Sequence, residues 1–281
     1  MQHLMSLFKF AVFLVGLAIT SATAADFRFV GKDSFVSLRM QGPIEQGDLD
    51  RMLIELSQAD GGRAGRRFFQ ERQILWINSP GGSIDEALKI AAFVRKSLIQ
   101  VWVLDRCESA CFLVLAAAVE RRMGGKIGIH RPYFGTEGSR TLGVEESQRR
   151  YSQMSTRFYA MLDEFEVPRQ IADRMRSMAS TEVHYLTSAE RELMGEKQPW
   201  FEQLLISKCG LDKGREAAML EEIYKRVAAK DDQWRTPADY QEYQDGVTKC
   251  ANNLTYSVGR DAYVREAEAL VRRLNEGTPM R

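Results

Sequence analysis

Histidine is scarce in this chain: there are three in 281 residues, and only His130 and His184 lie beyond the first 24 positions. The sequence has no Cys-x-x-Cys pair and no histidine cluster with ligand spacing, so neither a metal centre nor another cofactor is expected. An excess of either charge is also missing. The 39 basic and 38 acidic side chains leave a net charge of +1, which gives no electrostatic case for a nucleic-acid or anionic-membrane partner. Basic clusters at residues 63–67 and at Arg121-Arg122 read as solvated loop or helix ends. No apolar run reaches the roughly 20 residues of a spanning helix, so stable membrane insertion is not expected. Repeats and low-complexity stretches are absent as well. What remains is an ordinary globular balance, 44% hydrophobic and 27% charged, long enough for one large core or two modest domains.

The N-terminus carries the clearest compositional signal. Lys9 precedes an apolar run from Phe10 to Ile19, followed by Ser21-Ala22-Thr23-Ala24-Ala25. That order reads as a signal peptide over residues 1–24, with cleavage after Ala24 at an Ala-x-Ala site; the competing reading is an uncleaved anchor. Export predicts a periplasmic or secreted protein, where disulfides persist. Pairing the four cysteines by region gives Cys107–Cys111 and Cys209–Cys250. The alternative for the first pair, two buried thiols, stays open.

Hydrophobic periodicity sets out the elements. Residues 35–40 alternate like a strand, Gly42-Pro43 breaks it, and a helix runs from Asp48 to Leu56. Residues 59–67, rich in glycine and arginine, read as a loop. Ile74-Leu75-Trp76-Ile77, Val101-Trp102-Val103-Leu104 and Ile127-Gly128-Ile129-His130 read as buried strands. Helices are expected from Ile84, from Ser109 to Ala116, from Val144 to Glu164 and from Pro168 to Met178. This alternation predicts an α/β domain over residues 25–198, with a mainly parallel sheet covered by helices. Residues 199–281 read as an all-helical appendage, with helices at 201–205, 215–229, 238–252 and 261–274.

Three pieces fall at strand ends, where open α/β sheets place their sites. Asn78-Ser79-Pro80-Gly81-Gly82-Ser83 offers a backbone that a substrate can approach closely, with N–H groups able to hold an oxyanion. Ser109, in Cys107-Glu108-Ser109-Ala110-Cys111, is either a projecting nucleophile or simply a helix N-cap. His130 ends the next strand and is followed by Arg131-Pro132. Together, the serine, the histidine and the diglycine can supply nucleophile, base and oxyanion donors.

Ile77-Asn78-Ser79-Pro80-Gly81-Gly82-Ser83 resembles the signature stretch of the Clp protease proteolytic subunit family, within the crotonase-like superfamily. The order that follows, helix, strand, serine-bearing helix and a strand ending in Ile-His-x-Pro, is similar to that family's. So is Tyr185-Leu186-Thr187-Ser188-Ala189-Glu190 with Gly195. The resemblance covers roughly residues 35–198 and implies a layered parallel sheet with helices. It implies a serine peptidase with Ser109 as nucleophile, His130 as general base, and Gly82 and Ala110 N–H groups as the oxyanion hole. It also implies a peptide or unfolded-protein substrate and homo-oligomeric assembly. The family's aspartate falls on Val183, so Glu182 is the first substitute, with Asp163 and Glu166 open.

Rival readings remain. Lys89 or Lys126 could serve in a serine–lysine dyad. Acyl-CoA chemistry of the crotonase kind conflicts with export. Loss of the acid also allows a catalytically lapsed binding or scaffold protein of the periplasm.

Overall fold

The computed structural model describes residues 24–31, 36–70, 73–133, 142–231 and 233–276. The predicted signal segment, apart from Ala24, and Phe35 lie outside the described residues. Among the described residues seven strands build the sheet: β1 (Asp26–Val30), β2 (Ser37–Gln41), β3 (Ile74–Ser79), β4 (Gln100–Glu108), β5 (Arg121–Met123), β6 (Lys126–Ile129) and β7 (His184–Tyr185). Their order is β1-β2-β3-β4-β6-β7, with β5 also paired to β4. The centre is parallel, while β1 pairs β2 and β7 pairs β6 antiparallel. Strand β4 is long enough to serve two partners on one edge. Val101–Val103 pair with β5, and Arg106–Glu108 pair with β6. This split carries the C-terminal end of β4 to the C-terminal end of β6.

Helices α1 (Asp48–Gln58), α2 (Arg63–Gln70), α3 (Ile84–Lys96), α4 (Cys111–Ala117), α5 (Val144–Glu164), α6 (Arg169–Ser177) and α7 (Ser188–Met194) complete the α/β part. Ile90, Ala91 and Val94 of α3, every residue of α4, and Phe158 and Leu162 of α5 join one buried core with Val101, Val103, Ile127 and Ile129. Helix α4 is apolar on all sides because it is wrapped on all sides. The C-terminal part is all-helical, with α8 (Pro199–Cys209), α9 (Lys213–Ala228) and α10 (Ala238–Asn275). The architecture is the layered α/β arrangement of the Clp-protease and crotonase-like fold, with a helical C-terminal region.

Two departures from periodicity have physical causes. Residues 59–67 are not a loop: a 3₁₀ turn at Ala59–Gly62 leads into α2. Helix α2 buries Phe68 and Phe69, and Gly65 fits against Leu56, where a Cβ would meet the Leu56 carbonyl oxygen. The helices expected at 238–252 and 261–274 are one continuous helix, α10. It crosses the α/β core at Gly259, where a Cβ would lie 2.3 Å from Gln73 Oε1 and 2.8 Å from Ser97 O. Arg273 of α10 then pairs with the buried Asp50 of α1 at 2.5 Å.

Candidate active site

The diglycine turn closes β3 and opens α3. Gly81 has φ +90° and Gly82 φ +141°, values that favour glycine. The turn is pinned from β2's side: Ile44 N–H donates to Gly81 O at 2.7 Å, and Ser83 N–H donates to Ile44 O at 2.7 Å. Ser83 then caps α3 by accepting from Glu86 N–H at 3.3 Å. This leaves the Gly82 N–H between two committed neighbours and, among the described residues, without an acceptor.

Ser109 stands between β4 and α4 with φ +56°. A left-handed conformation costs a non-glycine residue roughly 1–2 kcal/mol, and such strain persists only where the surroundings over-determine it. Its backbone is anchored on both sides. Ser109 N–H donates to Gly128 O of β6 at 2.9 Å, and Ser109 O accepts from Phe112 N–H at 3.0 Å. The N-cap reading of this serine is not what the structure holds: the cap of α4 is Ala110, with no side-chain cap bond. The hydroxyl is therefore not spent on the helix. The Ala110 N–H, like that of Gly82, has no acceptor among the described residues. Gly81 packs onto this elbow so closely that a Cβ there would lie 2.6 Å from Ser109 Cβ and 2.9 Å from Ala110 N.

His130 follows β6 directly and is buried, with 9% of its surface exposed. Its Nδ1 lies 2.8 Å from the carbonyl oxygen of Arg131. A carbonyl can only accept, so Nδ1 is the donor in this contact, and in the neutral ring Nε2 is then the nitrogen with the lone pair that a general base needs. The Tyr133 ring lies beside it, with centroids 5.4 Å apart. Ser109 and His130 thus sit at the C-terminal ends of adjacent parallel strands, although no hydrogen bond joins their side chains.

The acid candidates fall differently. Pairing of β6 with β7 sets Gly128 opposite Tyr185 and Ile129 opposite His184. Val183 and Tyr185 reach the face on which a Gly128 Cβ would point, at 3.1 and 3.3 Å from it. Alternation puts His130, directly after β6, on that face and His184 of β7 on the other, while Glu182 lies before β7 and outside the pairing. Glu182 is exposed, and its carboxylate accepts from Ala179 N–H at 3.4 Å. His184 bonds Glu190 at 2.8 Å. Glu166 acts instead on the half-buried Arg95 and the buried Arg121. Lys89 pairs with Glu86 on α3 at 2.7 Å, and Lys126 is exposed opposite Arg106.

One carboxylate on the His130 face escaped the sequence reading. Glu108 pairs with Gly128 across β4 and β6, and its Cγ would lie 2.9 Å from a Gly128 Cβ. Tyr185 donates its hydroxyl to Glu108 Oε1 at 2.9 Å, and that bond pushes the Tyr185 phenol up. Only the register of two strands reveals this neighbourhood, because Glu108 and Tyr185 are 77 positions apart.

Disulfides join Cys107 to Cys111 and Cys209 to Cys250, with Cα atoms 5.3 and 5.5 Å apart. The first spans the elbow; the second ties α8 to α10. Among the described residues no group of acidic, histidine or cysteine side chains could hold a metal, and no helix is long and apolar enough to cross a membrane. Two cavities lie away from the elbow. One of about 390 Å³ is lined by Glu120, Arg122, Lys197 and α10, and one of about 370 Å³ by Phe69, Tyr256 and Tyr263. Neither holds a serine beside a histidine.

No curated protein matches the chain significantly. Among solved structures it is similar to a ClpP1 mutant from Listeria monocytogenes, with 16% identity and a TM-score of 0.43. That likeness covers 57% of this chain and 88% of the other. Residues 69–187, a span that takes in both glycines, Ser109, His130 and Val183, match the protein family described as Clp protease.

Proposed function

We propose that this chain is an exported serine hydrolase of the peptidase kind, acting through Ser109 and His130. The observation that carries the reading is Ser109 at φ +56° on a strand-to-helix elbow, with its hydroxyl spared from capping. Ser109 attacks a substrate carbonyl, and His130 Nε2 takes the hydroxyl proton. The N–H groups of Gly82 and Ala110 receive the oxyanion, and water later releases the acyl group. The Arg131 carbonyl holds the ring tautomer, the role an acid plays in a full triad. A dyad lacking the acid retains catalysis at a reduced rate, so the enzyme is a slow one. The substrate is a peptide or an unfolded chain, and association into a homo-oligomer accompanies it. Residues 1–24 direct export and are removed, leaving residues 25–198 as the catalytic domain and 199–281 as its helical appendage. Four cysteines all held in disulfides suit an oxidising compartment, periplasmic or extracellular.

The test is covalent labelling of the mature protein with a fluorophosphonate. Modification at Ser109 that disappears in Ser109→Ala and slows strongly in His130→Ala is the expected result. Absence of labelling across pH 5–9 discards the hydrolase. The second reading, a binding or scaffold protein, then stands on Val183 in place of the family's acid.

A further inference from the structure

We infer that Cys107 and Cys111 are positioning residues, and that their disulfide holds the Ser109 elbow in its left-handed form. The inference rests on the hydrolase reading for its activity measurement, but not for its structural one. The bond closes around three residues only, Glu108, Ser109 and Ala110. Those three include the proposed nucleophile and one of the two N–H donors left without an acceptor.

A strand advances about 3.3 Å per residue, so an extended chain from 107 to 111 would span about 13 Å. The observed Cα separation is 5.3 Å. The bond therefore forbids β4 from running on past Glu108 and requires the chain to turn where Ser109 sits. Both ends are immobile. Cys107 pairs with Ser79 of β3 and with Ile127 of β6, and Cys111 is the first residue of α4; both are fully buried. Among the described residues, the other restraints on the turn are two backbone bonds, from Ser109 N–H to Gly128 O and from Phe112 N–H to Ser109 O. Ser109 makes no side-chain cap, Ala110 has no side chain to make one, and Gly81 supplies only a steric wall. A left-handed serine persists only where its surroundings over-determine it, and the covalent bond adds to those two hydrogen bonds the one restraint that fixes both ends of the turn.

The consequence is a site assembled by oxidation. Reduction by an external dithiol would proceed by exchange. One thiolate of the reductant attacks a sulfur of the pair, breaks the S–S bond and forms a mixed disulfide. The second thiolate then displaces the remaining protein sulfur. Cys107 and Cys111 end as thiols carrying the two protons, and the reductant leaves as a disulfide.

The experiment equilibrates the full mature chain in graded mixtures of reduced and oxidised dithiothreitol. Alkylation and peptide mass spectrometry read the Cys107–Cys111 and Cys209–Cys250 pairs separately. In parallel, the fluorophosphonate rate at Ser109 and hydrogen exchange at amides 108–112 are followed. The expected result is a loss of labelling of a hundredfold or more, with the same midpoint potential as the Cys107–Cys111 pair. Exchange should quicken at 108–112 while the amides of β3 and α3 keep their protection. A Cys209→Ala/Cys250→Ala chain should show the same midpoint. Labelling of the reduced protein within threefold of the oxidised, or exchange unchanged at 108–112, overturns the inference. Exchange that quickens evenly over β3 and α3 also overturns it, because the bond would then be a general staple. If the oxidised chain is never labelled, the hydrolase reading fails and exchange alone decides whether the bond holds the elbow.

Discussion

Gly81 stands directly against Ser109: a methyl group on Gly81 would lie 2.6 Å from the serine Cβ and 2.5 Å from the Glu108 carbonyl oxygen. The second neighbour is backbone and cannot rotate away. Gly81 also has φ +90°, so alanine there meets both a clash and an unfavourable conformation. Gly81→Ala is expected to cost about 2–4 kcal/mol, read by urea unfolding. Ser109 labelling should fall with it. A variant with wild-type stability and labelling would show that the elbow is looser than described.

Ser109 bears the opposite kind of strain. Glycine adopts φ +56° without the Cβ penalty, so Ser109→Gly is expected to raise stability by about 0.5–1 kcal/mol while abolishing labelling. Ser109→Ala keeps the Cβ and should bring no such gain. Comparing the two urea midpoints separates backbone strain from loss of the hydroxyl, and equal midpoints would remove the strain from the account.

Glu182 and His130 should differ sharply under mutation. The Glu182 carboxylate accepts from Ala179 N–H, and Glu182 precedes β7, which begins at His184. Glu182→Gln is expected to leave the labelling rate within about twofold, whereas His130→Ala should lower it about a thousandfold. Glu108→Gln, on the His130 face, should fall between them. A Glu182→Gln loss as large as that of His130→Ala would restore Glu182 as the orienting acid.

Acid should loosen the start of α7. Partial burial pushes the Glu190 carboxyl up, but the Thr187 N–H, His184 and the Thr187 hydroxyl outweigh it and hold it at about 2, below its ordinary 4.5. A carboxyl depressed in the folded state stabilises it fully above the unfolded value, and that contribution fades as pH falls from 4.5 towards 2. Thr187 and Glu190 also form a capping box. Glu190→Ala is expected to cost about 1 kcal/mol near neutral pH, and the gap from wild type should narrow below pH 4.5 in unfolding measured by circular dichroism. A gap that stays constant down to pH 2 would contradict this.

The crossing of α10 at Gly259 offers a stability test far from the elbow. Gly259→Leu would drive a side chain into Gln73 and the Ser97 carbonyl, and is expected to cost about 1–3 kcal/mol. Hydrogen exchange should show α10 freed from α1–α3 while β3–β6 keep their protection. Retained protection along α10 would mean that the crossing tolerates bulk.

Much of this molecule is written locally. Alternation in Ile74–Ile77 and Val101–Leu104, the diglycine turn and the order of serine before histidine depend on neighbours within a few positions, so they can be read one residue after another. The C-terminal helices follow for the same reason, although their merging into α10 does not. Other features depend on partners far along the chain. The left-handed Ser109 is held by a wall from Gly81 and a bond to Gly128 O. Glu108 enters the His130 face through the β4–β6 register. Short strands such as β5 and β7 have too few residues for a period to show and exist only because a longer neighbour supplies the ladder. The serine and the histidine could be named from the chain alone. Their faces, the tautomer of the ring and the free N–H groups beside them were decided by strand register and backbone angle, which arise only when distant segments pack together.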